Sequence, residues 1–348
     1  MAEATVAFLS FRLGGPDGVS VVTDTWRHAF EELGFRARTV AGEGPVDHTI
    51  PGLAIDAATP PDAAELERAL TGVRLVVIEN LLTIPMNLAA SRVAAQVLRG
   101  RPALLHHHDP PWHRARFAHI TELPVDDPAW RHVAISHLAA AELAERGFRA
   151  DVVYNAIDVD TPAGDGAAVR ARLDADHARP LLLHPVRAIE RKDVPTALAL
   201  AAAVGGTYWL PGPAEEGFGP TLQRLLDQAA IPVRREPFVH ADRADAYAAA
   251  DAVLYPSTLE GFGIPPLEAA VFGRPVVVGP YPVAAELRAL GFRWLPADDP
   301  EPLRRALSDP ASVQADLAHN RSVVRRWFSL DRLRDTLADL LTRAGWAP

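Results

Sequence analysis

The chain has 348 residues, 49% hydrophobic and 23% charged, with a net charge of −9. That length predicts about two domains with ample apolar material for two cores, and the acidic balance argues against nucleic acid as the main partner. Cysteine is absent, which excludes a disulfide frame, a thiolate nucleophile and cysteine-ligated zinc.

The N-terminal segment MAEATVAFLSF lacks the basic region of a secretory leader. No apolar run approaches the ~20 residues that a membrane helix needs. The expectation is a cytoplasmic protein with no integral membrane segment. Of 35 Lys plus Arg residues only Lys192 is a lysine. In a chain that uses arginine elsewhere, this position asks for a compact, mobile point charge.

In chain order, Thr5 to Phe11 reads as a strand. The turn Arg12-Leu13-Gly14-Gly15-Pro16-Asp17-Gly18 follows, then a helix over about Val19 to Leu33. Strand, glycine turn and helix form the geometry in which backbone N–H groups approach a phosphate or sugar. The turn lacks the Gly-x-Gly-x-x-Gly dinucleotide fingerprint. Strands are expected at Phe35 to Val40, Arg74 to Glu79, Ala103 to Leu105, His132 to Ile135 and Asp151 to Tyr154. Helices are expected at Pro61 to Leu70, Pro85 to Leu98 and from Ser136 to about Arg146, with residues 41–60 as loop. Such alternation makes a doubly wound parallel sheet.

Residues 159–179 are polar, with Gly, Asp and Pro, and read as a linker. The pattern then restarts with strands at Leu181 to Val186, Thr207 to Leu210, Val233 to Phe238, Ala252 to Tyr255, Pro275 to Gly279 and Arg293 to Pro296. The expected helices run to about Val204, then over Pro220 to Ala229, Ala241 to Ala250, Ile264 to Phe272, Ala284 to Leu290 and Pro300 to Leu307, with terminal helices near 311–327 and 330–344. No short repeat, coiled coil or low-complexity tail interrupts this order.

The most informative stretch is DAVLYPSTLEGFGIPPLEAAVFGRPVVVG, from Asp251 to Gly279. Glu260 lies in a glycine-bearing turn, Gly261-Phe262-Gly263, and Glu268 about two turns into the helix that follows, so both carboxylates can face one crevice. That crevice is at the carboxyl end of a parallel strand, where open α/β sheets bind ligands. Upstream, Arg187 and Lys192 lie five apart across another strand-to-helix loop and offer two cations to an anion.

This combination resembles the signature of the family 4 retaining glycosyltransferases: a Glu, seven residues and a second Glu, with Gly-Phe-Gly after the first and Pro-x-x-Glu-Ala at the end. The resemblance implies the GT-B fold, with two Rossmann-like domains facing across a cleft. It assigns residues 1–158 to an acceptor domain, 180–329 to a nucleotide-sugar donor domain and about 330–348 to a C-terminal helix crossing back to the first. It further implies that Arg187 and Lys192 hold the donor diphosphate and that Glu260 contacts the donor sugar. Glu268 would take the ribose hydroxyls, with Gly261, Phe262, Gly263 and Ile264 adding N–H contacts. Gly14, Gly15 and Gly18 correspond to a loop that touches the donor phosphate and borders the acceptor. The implied reaction moves a hexose from a nucleotide-diphosphate sugar with retention, without metal or other cofactor. GDP-mannose is the first expectation for the donor, and UDP- or ADP-glucose the second.

The run His106-His107-His108-Asp109 follows a strand. Adjacent strand residues point to opposite faces, so three in a row cannot all grip one ion, and no metal is expected there. Family 4 enzymes often place a histidine near the reacting sugar at this point. His108 is the choice for that catalytic role and His107 the alternative. Asp174-Ala175-Asp176 is expected to be a solvated loop. IENLLTIPMNLAA (78–90) and HHHDPPWHRARF (106–117) look similar to segments of the mannosylglucosylglycerate synthases and their relatives. That likeness implies a small anionic acceptor of the glycerate-glycoside kind, gripped by Arg114 or Arg116 beside Trp112. Pro110-Pro111 departs from the subgroup pattern, which leaves the acceptor open. The rival readings are a membrane-associated phosphatidylinositol-type mannosyltransferase, a non-catalytic nucleotide-sugar binding protein and a sugar-nucleotide epimerase. The oligomeric state is not legible.

Overall fold

The computed structural model describes residues 4–15, 17–114, 116–238 and 242–348. Pro16, Ala115 and Ala241, named in the segments above, lie outside the described residues. The chain divides into two compact units, Met1–Ala156 with Phe328–Pro348, and Ile157–Trp327.

The first unit runs β1 (Ala4–Arg12), α1 (Gly18–Glu32), β2 (Phe35–Glu43), β3 (His48–Thr49), α2 (Ala63–Ala69), β4 (Val73–Glu79), α3 (Leu88–Leu98), β5 (Ala103–His107), β6 (Trp130–Ala134), α4 (His137–Ala144) and β7 (Ala150–Val152). Its sheet has the order β3-β2-β1-β4-β5-β6-β7, with parallel pairing throughout. Residues 6–9, 75–78 and 103–105 of the central strands are at most 1% exposed, as expected of parallel strands covered on both faces. Asp17 caps α1 by accepting from the Val19 and Ser20 N–H groups. The helix then buries Val22, Trp26 and Phe30, and Phe30 meets Phe8 edge-on at 5.8 Å. Residues 41–60, expected as loop, contain the end of β2, all of β3 and a 3-10 turn at Pro51–Leu53.

The second unit runs α5 (Gly166–Arg172), β8 (Leu181–Leu183), α6 (Val194–Ala203), β9 (Thr207–Trp209), α7 (Gly219–Asp227), β10 (Val233–Arg234), α8 (Arg243–Ala249), β11 (Ala252–Tyr255), α9 (Ile264–Val271), β12 (Val276–Val278), α10 (Pro282–Ala289), β13 (Leu295–Pro296), α11 (Glu301–Ser308) and α12 (Gln314–Phe328), which ends at the unit boundary. Its sheet has the order β10-β9-β8-β11-β12-β13, again parallel. Residues 159–179, expected as a linker, belong to this unit and contain α5. Asp165 caps that helix. Gly164 and Gly166 lie against the α8 backbone so closely that a Cβ would come within 2.2 Å of Asp245 N and 2.5 Å of the Ala248 carbonyl.

The last helix, α13 (Leu330–Ala344), returns to the first unit. It buries Leu333, Leu337, Leu340 and Leu341 and packs on α1. In each sheet the two central neighbours are not consecutive: β1 beside β4, and β8 beside β11. The loops leaving these strands are where ligand-binding groups collect in such folds.

Candidate active site

In the second unit the loops after β8 and β11 converge. A 3-10 turn at Glu190–Lys192 aims two consecutive cations at one carboxylate. Lys192 Nζ donates to Glu260 Oε1 at 2.5 Å, and Arg191 Nη1 to Glu260 Oε2 at 2.7 Å. Lys192 is 8% exposed and Glu260 7%. The Lys192 ammonium also lies 5.1 Å from the centre of the Tyr255 ring and donates weakly to its hydroxyl at 3.4 Å. Burial by itself would raise the Glu260 pKa, but the charges of Lys192 and Arg191 outweigh it and hold the carboxyl below its usual range. Burial lowers the Lys192 pKa, opposed by Glu260. One carboxylate against two cations leaves a positive surplus at the carboxyl end of the sheet. Arg187 stands further out, 38% exposed at its side chain and paired with Glu215 at 2.7 Å.

The turn after Glu260 is set by Gly263, at φ 106°. Only glycine holds that conformation without strain, and a Cβ would fall 2.4 Å from Tyr281 Oη. That hydroxyl has no hydrogen-bond partner among the described residues. α9 begins there with no side-chain cap. Pro265 and Pro266 carry no N–H, so of the first three helical residues only Ile264 offers an open donor. Glu268, 8% exposed, accepts from Tyr247 Oη at 2.6 Å and lies 3.7 Å from Arg243. Its pKa is raised by burial, which Tyr247 and Arg243 only partly oppose.

In the first unit, β5 runs past Leu105 to His107, and the alternation of the strand separates the histidines. His106 and His108 share a face with Glu79, the last residue of β4. Glu79 Oε2 lies 2.6 Å from His108 Nε2 and 2.9 Å from His106 Nδ1. Glu79 and His106 are wholly buried, and His108 is 6% exposed. Burial pushes the Glu79 carboxyl up, but the two imidazoles more than offset it, leaving its pKa at about 2. Burial, with His108 nearby, brings His106 down to about 4. The ligand atoms of these three residues lie within 4.8 Å of one another, so they form a set that could hold a metal ion. A third donor from the neighbouring strand thus supplies what the histidine run by itself lacks.

His107 faces the other way. Its Nδ1 is 2.7 Å from Thr83 Oγ1 and its Nε2 2.9 Å from His132 Nδ1, and it is wholly buried. Both ring nitrogens of His107, the alternative to His108 for the catalytic role, are therefore engaged inside the unit. Trp112 donates to Glu142 at 2.8 Å beneath the Arg146 guanidinium, 3.7 Å away. Arg114 lies 3.3 Å from Asp109, and Arg116 is exposed over Phe117. Gly14 has φ 78°, and its Cα side is closed by Pro45 at 2.6 Å from a Cβ position. The Gly15 N–H is taken by Ser20 Oγ at 3.2 Å, while Gly18 opens α1 with free space around it. Asp174 is fully solvated, as expected for its loop.

The structure therefore gathers Lys192 and Glu260 in one cluster, and His108 in another within the other unit. Sequence reading missed Arg191 and Glu79. Arg191 was hidden beside the lone lysine. Glu79 carried a usable signal, a carboxylate placed directly after the apolar run at residues 75–78.

Residues 181–309 match the family described as Glycosyl transferases group 1, so the second unit carries a glycosyltransferase domain of that group. The whole chain has the GT-B glycosyltransferase fold. It superimposes on HepE from Anabaena, solved with UDP-glucose, with TM-score 0.77 and 19% identity over 97% of this chain and 99% of that one. Sucrose-phosphate synthase from Thermosynechococcus elongatus gives TM-score 0.72 at 16% identity, over 99% of this chain and 100% of that one. In sequence, the chain is 24% identical to mannosylglucosylglycerate synthase of Thermotoga maritima over 433 aligned residues, 96% of this chain and 98% of that protein. It is 34% identical to a D-inositol 3-phosphate glycosyltransferase of Mycobacterium over 47% of this chain and 41% of that one. Among the described residues no helix is long and apolar enough to cross a membrane.

Proposed function

We propose that this chain is a cytoplasmic, retaining glycosyltransferase of the family 4 type. It moves a hexose from a nucleotide-diphosphate sugar to a small anionic acceptor, with no metal or other cofactor. The observation that carries the reading is the positive surplus around Glu260. As the bond from the anomeric carbon to the diphosphate breaks, negative charge grows on the leaving group. Lys192 and Arg191, held in place by one buried carboxylate, meet that charge without reorganising, and Arg187 adds a third cation. The N–H groups of the Gly261-Phe262-Gly263 turn and of Ile264 contribute hydrogen bonds at the start of a helix. Glu260 and Glu268 are acceptors suited to sugar and ribose hydroxyls. The acceptor hydroxyl oxygen then bonds to the anomeric carbon on the face the diphosphate left, its proton passing to the departing diphosphate, with His108 near the reacting sugar. Arg114, Arg116 and Trp112, with Gly14, border the acceptor.

The likeness to mannosylglucosylglycerate synthase supports a mannosyl donor, for which GDP-mannose is the first candidate, and a glycerate-glycoside acceptor; the likeness to HepE, solved with UDP-glucose, supports UDP-glucose as the second donor. The test is ligand-observed NMR with GDP-mannose, UDP-glucose, ADP-glucose and UDP-N-acetylglucosamine, followed by acceptor-dependent release of the nucleotide diphosphate. The anomeric configuration of the product is read by NMR. Binding of one donor and transfer with retention is the expected result. Failure of all four donors to bind refutes the reading.

A further inference from the structure

Glu79 belongs to no part of the donor machinery, yet among the described residues it is the one wholly buried carboxylate in the first unit, and it touches His108. It leaves β4 in register with His106 of β5. A buried ionised carboxylate is costly unless hydrogen-bonded and paired. Here its Oε2 meets His108 Nε2 at 2.6 Å with good hydrogen-bond geometry. The His106 ring closes the site from the other side, stacked on Trp26 at 4.0 Å between centroids. The backbone is fixed as well. Asn80 adopts φ 60°, and its Oδ1 accepts from the N–H groups of His108 at 2.9 Å and Asp109 at 3.2 Å.

An ionised carboxylate only accepts, so the imidazole nitrogen facing it must carry the proton. We infer that Glu79 is a positioning residue: it fixes His108 in the Nε2–H tautomer and presents Nδ1 as the lone-pair atom that meets a substrate hydroxyl. This rests on His108 acting at the reaction centre, as proposed above. The role follows the logic by which a buried carboxylate orients a catalytic imidazole elsewhere.

The experiment pairs kinetics with 15N NMR of the histidine rings in wild type, Glu79→Gln, His106→Gln and His108→Ala. In wild type the His108 signals should report an Nε2–H tautomer. In Glu79→Gln that tautomer should be lost or mixed. Its kcat should fall on the order of 10²-fold, the lower range for a positioned acid–base group, with donor KM within about twofold. The double variant Glu79→Gln/His108→Ala should be no slower than His108→Ala, since the two residues act as one unit. An Nδ1–H tautomer in wild type overturns the inference even if Glu79→Gln fails to fold. So does a Glu79→Gln variant with wild-type kcat, or a stoichiometric divalent metal in purified wild type that Glu79→Gln loses. If no donor is turned over, the proposed function fails on its own, and the tautomer spectra still decide this point.

Discussion

Lys192→Ala is the sharpest perturbation because it separates binding from folding. In binding, the variant removes one charge-assisted hydrogen bond to the donor diphosphate, worth about 1.5–3 kcal/mol. At 1.4 kcal/mol per decade this weakens donor binding about 10- to 150-fold. In folding, breaking a buried ion pair costs about 3–5 kcal/mol when the remaining charge is abandoned. Glu260 is not abandoned, since Arg191 still donates to its Oε2 at 2.7 Å, so the stability loss should sit near or below the lower end, about 2–3 kcal/mol. Donor titration by calorimetry below the thermal transition measures the first, and urea unfolding the second. A Lys192→Ala variant that binds donor within about threefold of wild type, less than 1 kcal/mol, would refute the diphosphate assignment. One that loses no stability would refute the buried-pair reasoning.

Gly263→Ala should destabilise the chain by about 1–3 kcal/mol through its backbone strain alone, with loss of donor binding. Adding Tyr281→Phe should return part of the Tm, because it removes the hydroxyl 2.4 Å from the new Cβ. Stability should fall as pH drops from 6.5, because His106 and His184 are buried neutral with pKa values near 4 and 3 while the unfolded chain takes up protons near 6.5. Below 4.5 the loss of the Glu79 contribution, whose folded pKa is about 2, adds to it. Urea midpoints at pH 7, 5.5 and 4.5 check the slope, and His184→Gln should flatten it. Leu337→Ala, at a position 0% exposed on α13, should cost about 2–5 kcal/mol in thermal unfolding and leave donor affinity unchanged.

Much of this was legible because the informative signals were local. The strand-turn-helix order from Ala252 to Val278 follows from apolar runs, glycines and prolines whose meaning does not depend on distant residues. The Glu260–Glu268 spacing is of the same kind. What stayed hidden depended on partners far along the chain. Nothing near residue 79 announces that its carboxylate meets His108, 29 positions later. Arg187 looked like the natural partner of Lys192, but the 3-10 turn at Glu190–Lys192 gives that place to Arg191 and leaves Arg187 with Glu215. The polar composition of 159–179 concealed α5, because a seven-residue helix needs only a narrow buried face, and the glycines that suggested a linker serve close approach to α8. The extension of β5 to His107 escaped notice because histidine has no strong strand preference, and neighbouring strands carried the pairing on.

The lone lysine can be explained by size as well as charge. Its ammonium fits between the Tyr255 ring and Glu260, in a place where the side chain is 10% exposed, while the adjacent Arg191 side chain, 25% exposed, reaches the other carboxylate oxygen from outside. A guanidinium at position 192 would bring five donors in a rigid plane to a pocket that offers Glu260 Oε1 and the Tyr255 hydroxyl. The remaining donors would be buried without partners, at about 1–3 kcal/mol each. Lys192→Arg should therefore lose stability and donor affinity despite keeping its charge, with an affinity closer to Lys192→Ala than to wild type. If Lys192→Arg binds donor as wild type does, charge alone is required there, and the solitary lysine reflects no constraint of shape.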